Sequence, residues 1–146
     1  MDINKIKTSI IGIVGLIGSV AAHFLGGWNM ALQTLIIFMG IDYLTGLLVA
    51  GVFHKSEKSD TGALESRAGW KGLCRKGMTL LIVLVATQLD KVAGTDVIRN
   101  AVIIAYVVNE TISIIENAGL MGLPIPSIIR KALDLLSKQA EESEFE

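Results

Sequence analysis

The chain has 146 residues, a formal net charge of -1, and 51% hydrophobic against 18% charged residues, with a mean hydropathy of +0.57. That is room for one domain, but it is too apolar and too sparsely charged for an ordinary soluble one, and it indicates a membrane protein. Basic residues scattered among acids give no nucleic-acid surface, and a single cysteine, Cys74, excludes an internal disulfide or a cysteine-rich metal site.

Lys5 and Lys7 precede an uncharged run from Thr8 to Leu25, whose only titratable side chain is His23. Its 18 residues just reach membrane length, and it reads as a first span over residues 8–25. A signal peptide is the rival reading, since Ser19-Val20-Ala21 has the small-x-small form of a cleavage site. Small residues at Thr8, Gly12, Gly15, Ser19, Ala22 and Gly26 alternate steps of four and three along one helix face. Such a face lets membrane helices approach closely and associate. Gly26-Gly27-Trp28-Asn29 predicts a tight external turn, with Trp28 at the membrane interface.

The second span covers residues 31–53, about 34 Å of helix against a hydrocarbon core of roughly 30 Å. Asp42 is its twelfth residue and falls near the midplane. A lone ionised side chain there costs at least about 2.5–3.5 kcal/mol, so it faces protein or water rather than lipid. Asp42, Gly46 and Ala50, spaced four apart, share one face. Two readings of that face stand side by side: an oligomer or pore side, or pairing of Asp42 within one subunit. Arg99, or a lysine near the interface, is the candidate partner for such pairing.

From His54 to Lys76 the composition turns polar, with six basic residues against three acidic ones. Residues 56–62 read as a solvated loop and 66–76 as a short interfacial helix, with Trp70, Lys71, Arg75 and Lys76 at headgroup level. The excess of positive charge predicts that this loop is cytoplasmic. Gly77 to Leu89 supplies only 13 uncharged residues, so the third span, 72–89, borrows length from the basic stretch before it. Residues 90–100 form a small external loop. The fourth span, 101–117, carries a polar stripe of Tyr106, Asn109, Glu110 and Ser113, continued by Glu116 and Asn117, on a helix otherwise rich in Val and Ile. The rival reading is a solvent-facing helix with a buried Val/Ile side.

Pro124 and Pro126 prevent the helix from continuing. Ser127 then caps an amphipathic helix over 127–139 that lies on the membrane or on a neighbouring subunit, and residues 140–146 form an acidic, disordered tail. The fold class predicted is all-α: a small polytopic membrane protein with about four short transmembrane helices in residues 1–126, followed by the amphipathic helix. Four crossings put both termini in the cytoplasm. No catalytic, nucleotide-binding or metal-binding motif occurs, which makes an enzyme the poorest reading and implies no cofactor.

Three stretches together resemble the toxin-secretion and phage-lysis holin family of bacteria. They are Asp42-Tyr43-Leu44-Thr45-Gly46, then Gly62 to Leu73 (GALESRAGWKGL) followed by Arg75-Lys76, and Asn109 to Asn117 (NETISIIEN) leading into Gly122-Leu123-Pro124-Ile125-Pro126. The resemblance runs from about Asp42 to Leu136. It implies a phage-encoded protein that is not an enzyme, accumulates in the host cytoplasmic membrane, assembles with itself and opens the bilayer. An endolysin, or a toxin in co-opted relatives, then escapes without needing direct contact. On that reading the seam through Gly12, Gly15 and Ser19 and the face of Asp42, Gly46 and Ala50 assemble monomers, while the stripe of Asn109, Glu110, Ser113 and Glu116 turns toward water. Two other classes fit the residues alone. One is an oligomeric ion channel or transporter subunit using Asp42 and Glu110 to bind and relay a cation. The other is a membrane adaptor whose basic loop docks a cytoplasmic partner.

Overall fold

A computed structural model describes residues 2–143, and within them the chain is all helical. Five α-helices follow one another: α1 (Ile3–Phe24), α2 (Met30–Leu48), α3 (Ser66–Ala93), α4 (Val97–Leu120) and α5 (Ser127–Ser143), with a π-helical turn at Val49–Phe53 extending α2. Four helical segments are long and apolar enough to cross a membrane: Ile3–Phe24, Met30–Phe53, Ser66–Ala93 and Val97–Leu120. The third differs from its expected form. A short interfacial helix followed by a separate span is replaced by one unbroken helix of 28 residues, because nothing between Trp70 and Leu80 breaks a helix except glycines that the helix tolerates.

Local chemistry explains most of the ends. Asn29 caps α2, its side-chain oxygen accepting from the Leu32 N–H at 3.0 Å. Asn29→Ala is expected to lower stability by about 1 kcal/mol, read as a reduced unfolding midpoint in detergent. An unchanged midpoint would mean that water serves the exposed N–H equally well. The π-helical turn is stopped by His54 in the left-handed region (φ 51), and the Lys55 N–H reaches back to the Val49 carbonyl. Gly62 has φ +73, and a Cβ there would fall 2.6 Å from the His54 carbonyl oxygen, so the loop folds back on itself only with glycine at this point. The Glu65 carboxylate, just before α3, accepts from both the hydroxyl and the N–H of Thr61. At the other end of α3, Gly94 closes the helix with φ +69.

Helices α2, α3 and α4 form the bundle, and α5 folds back onto α4. Arg99, at the start of α4, touches the turn before α2, and Asn117, near the end of α4, touches Asp42 and Thr45. The two helices therefore run parallel, with α3 antiparallel to both. Leu25, Leu32, Leu35, Met39, Val83, Ile103 and Val107 make the apolar core, which fills the half of the bundle next to the α1–α2 and α3–α4 turns. The other half is polar.

Helix α1 belongs to neither half. None of its residues is buried, and nothing lies within 4 Å of where a Cβ would stand at Gly12, Gly15 or Gly18. The last helix also differs from expectation. It continues to Ser143, past the expected boundary at 139, with Leu133 and Leu136 half-buried and Ile128, Ile129 and Leu135 exposed. Of the expected acidic tail, residues 144–146 lie outside the described residues.

Candidate functional site

The polar half of the bundle is built around one ammonium group. Lys76, on α3, donates to Asp42 Oδ2 at 2.9 Å and to Glu110 Oε2 at 2.6 Å, so a single cation joins the carboxylates of α2 and α4. The three side chains are almost enclosed, at 12%, 9% and 7% exposure respectively. Asp42 Oδ1 accepts from the Asn117 amide at 3.1 Å, and the same amide also donates to the Thr45 hydroxyl at 2.9 Å. Charge-assisted bonds of this kind are roughly twice as strong as neutral ones, and removal of one partner leaves a buried charge uncompensated.

The arrangement follows from helix geometry. Asp42, Thr45 and Gly46 fall within about one turn of α2, and the small Gly46 leaves room for the Asn117 amide, 3.9 Å from where its Cβ would be. Tyr43 lies over Gly69 and Gly72 of α3, which permits that helix to approach closely enough for Lys76 to reach inward. Beside the network is a cleft of about 330 Å³ between α2, α3, α4 and the loop after His54; its walls include Ala50, Asn109, Glu110 and Ser113. Lys58, from the loop, brings its ammonium to 3.9 Å from Asp42 Oδ1 while remaining 53% exposed.

Asp42 thus finds its company within the chain, but not from Arg99. Arg99 lies at the far end of the bundle, where it donates through Nε to the Leu25 carbonyl and through Nη2 to the Gly27 carbonyl at 2.9 Å. Asp90, at the end of α3, accepts from the Thr95 hydroxyl and from the backbone N–H groups of Ile98 and Arg99 at 3.0 and 2.8 Å. It caps α4 from another helix. Of this second polar cluster only Arg99 is among the residues singled out from the sequence, and for a different partner.

The stripe on α4 divides. Glu110 is buried and Ser113 half-buried at the cleft, while Asn109 is exposed at its rim and Glu116 is exposed outside the network. Asp42 and Ala50 are buried and Gly46 is half-buried, so the face they share is turned into the chain's own bundle. Gly12, Gly15 and Ser19 are exposed on α1. Of the interface residues, Trp28 and Trp70 are 58% and 67% exposed, and Lys71 and Arg75 are exposed as well. Lys76 departs from them: it points into the bundle instead of snorkelling, because α3 is continuous and puts it ten residues inside the helix. That continuity is the signal that would have identified it. Asn117 ends the polar stripe, and it and Thr45 stand in the stretches that carry the family resemblance, whereas Lys58 carries no comparable signal in the sequence. Among the described residues no group of three or more His, Cys, Asp or Glu side chains is arranged to hold a metal ion.

Comparison with known proteins agrees over most of the chain. A family model described as "Bacteriophage holin family" matches residues 19–138. A probable holin of Bacillus phage phi105 is 29% identical over 124 residues, covering 84% of this chain and 86% of the phage protein. An uncharacterised 14.9 kDa protein of Clostridium perfringens is 36% identical over 139 residues, with 94% and 96% covered. An uncharacterised protein of Halalkalibacterium halodurans is 40% identical over 123 residues, with 80% and 85% covered. No solved structure matches the chain.

Proposed function

Because the chain belongs to the bacteriophage holin family, whose members are not enzymes, we propose that this multi-pass membrane protein assembles with copies of itself in the bacterial cytoplasmic membrane. The assembly permeabilises the membrane and releases an endolysin, or a toxin, from the cytoplasm. The observation that carries the assembly step is α1: a 22-residue helix that buries nothing within its own chain and keeps Gly12, Gly15 and Ser19 free on its surface. In lipid, close packing of small-residue faces is a main source of helix association.

The bundle supplies the closed state in this reading. Lys76 between Asp42 and Glu110 satisfies charges that lipid would not tolerate singly, and the network acts as a latch that holds α2, α3 and α4 together until assembly opens them. In the open state Asp42, Glu110, Ser113 and Asn109 turn toward water. The basic loop after His54 is cytoplasmic by its excess of lysine and arginine, with both termini on the same side.

The test is inducible expression in a bacterium, following membrane potential and release of a folded cytosolic enzyme together. Abrupt depolarisation accompanied by enzyme release is the expected result. Depolarisation without release would reduce the lesion to an ion-sized pore, and neither event, with the protein present in the membrane, would sink the proposal. Asp42→Asn at equal membrane abundance is expected to shift the onset of lysis or the oligomer size. An unchanged lysis curve and an unchanged oligomer would count against the latch.

A further inference from the structure

The charges around Lys76 balance only through a loop lysine. Asp42 and Glu110 bring two negative charges and Lys76 one positive charge, while Glu65 and Arg75, of opposite charge, also line the cleft; among the described residues the remaining negative charge is met across 3.9 Å by Lys58. That distance is too long for a hydrogen bond, and Lys58 approaches from an exposed loop. Glu110 has a second feature of the same kind. Its Oε2 is bonded to Lys76, but among the described residues Oε1 has no hydrogen-bond partner, although the side chain is only 7% exposed. Among the described residues no fully enclosed side-chain nitrogen or oxygen lacks a partner, so Oε1 keeps some open space beside it, and Glu110 is one of the residues that line the cleft. A nearly buried carboxylate with free lone pairs therefore borders a cavity large enough to admit a ligand.

We infer that this cleft is a binding site for a primary ammonium group carried on a short alkyl stem, anchored by Glu110 Oε1 and Asp42 Oδ1, with Lys58 as its intramolecular occupant. Three features select that chemistry. A single negative charge is left when Lys58 swings away, which matches a monovalent cation, and the Lys76 ammonium between the carboxylates repels a divalent one. An ammonium provides three donors for oxygens that have only accepting capacity left. One part of the wall, contributed by Gly46, Leu47, Ala50, Ala68 and Gly69, is apolar and suited to methylene groups. The amine comes either from a free small molecule in the cytoplasm or from an ethanolamine lipid headgroup, which present the same group. The inference deepens the closed-state reading above and rests on it for the intact network, but binding is measured without lysis.

The experiment uses the full chain purified in neutral detergent, wild type and Lys58→Ala, with thermal unfolding followed against ethylammonium chloride and, at equal ionic strength, tetraethylammonium chloride. Lys58→Ala is expected to unfold at a lower temperature and to be restored saturably by ethylammonium, with a midpoint at least tenfold below that of the wild type. Tetraethylammonium, which has no N–H, is expected to do nothing. Adding Glu110→Gln should raise the ethylammonium midpoint at least tenfold. Should that variant not fold, Ser113→Leu fills the cleft with its charges intact and should remove the response equally. Identical responses to the two salts, or a midpoint indifferent to both cleft variants, would overturn the proposal. In nanodiscs, Lys58→Ala stabilised by phosphatidylethanolamine over phosphatidylcholine without added amine identifies the headgroup as the source. A continued need for free ethylammonium in both lipids identifies a soluble amine. Failure of lysis with the amine response intact would count against the holin reading alone.

Discussion

Lys76→Met is expected to destabilise the bundle by about 3–5 kcal/mol, the range for removing one partner of a buried ion pair. The substitution keeps most of the length of the side chain, one atom short, so little packing is lost. What is lost is, among the described residues, the only cation within hydrogen-bond distance of both carboxylates, leaving Asp42 and Glu110 to repel one another across the space it filled. Thermal unfolding in detergent is the measurement. The neutral triple variant Lys76→Met, Asp42→Asn, Glu110→Gln should regain a large part of the loss, since no uncompensated charge remains in it. At equal membrane abundance Lys76→Met should also bring lysis forward, because the latch proposed for the closed state is gone. A single variant as stable as the wild type, or a triple variant no better than the single, would show that water already reaches these groups and that the network contributes little.

Arg99→Met is expected to have the second largest effect, about 3 kcal/mol, from two charge-assisted hydrogen bonds worth about 1.5–3 kcal/mol each, less the recovered side-chain freedom. Arg99 is buried, at 7% exposure, and its guanidinium holds two carbonyls of the α1–α2 turn at once. Arg99→Lys should rescue little. A lysine ammonium is a single point of donation and cannot reproduce the spread of a fork holding Leu25 and Gly27 together. The neighbouring Gly26 reports on the same contact: it has φ +87, and a Cβ there would fall 2.7 Å from Arg99 Nε, so Gly26→Val should disturb the clamp from the other side. Spin labels on α1 and α4 provide the readout, with a broadened distance distribution expected in Arg99→Met. A sharp, unshifted distance would mean that lipid alone orients the first helix.

Which parts of this were legible in advance follows from what a one-dimensional pattern encodes. Asp42 and Glu110 stand out because each interrupts an apolar run, and an intramembrane carboxylate demands a partner wherever the helix lies. The spacing of Asp42 and Gly46 identifies a common face. It does not say whether that face meets a second subunit or the same chain, and the answer came from α4, whose Asn117 fits against Gly46. Lys76 was hidden by its setting. A lysine after Arg75 at the start of a 13-residue uncharged run has the pattern of a snorkelling interfacial residue, and only the continuity of α3 moves it inward. Arg99 illustrates the complementary limit: helical periodicity gives an angle around the axis but not a depth, so a cation at the start of α4 was an open candidate for an anion that lies far along α2. The cap supplied by Asp90 was invisible for another reason. Local capping signals lie within a few residues of the helix start, and this one arrives from the preceding helix.

The isolation of α1 bears on cooperativity. A helix whose hydrogen-bond ladder closes within itself, and which is held to its neighbours only at the turn after its last residue, has little reason to melt when they do. In a bilayer its backbone groups have no alternative partners, so it persists as an independent unit while α2, α3 and α4 separate. An unfolding free energy for this protein is therefore a property of the bundle, blind to substitutions along Gly12, Gly15 and Ser19. A variant there that alters lysis while leaving the unfolding curve unmoved would be behaving as a change in association, and the two kinds of defect separate without any need to see the assembled state.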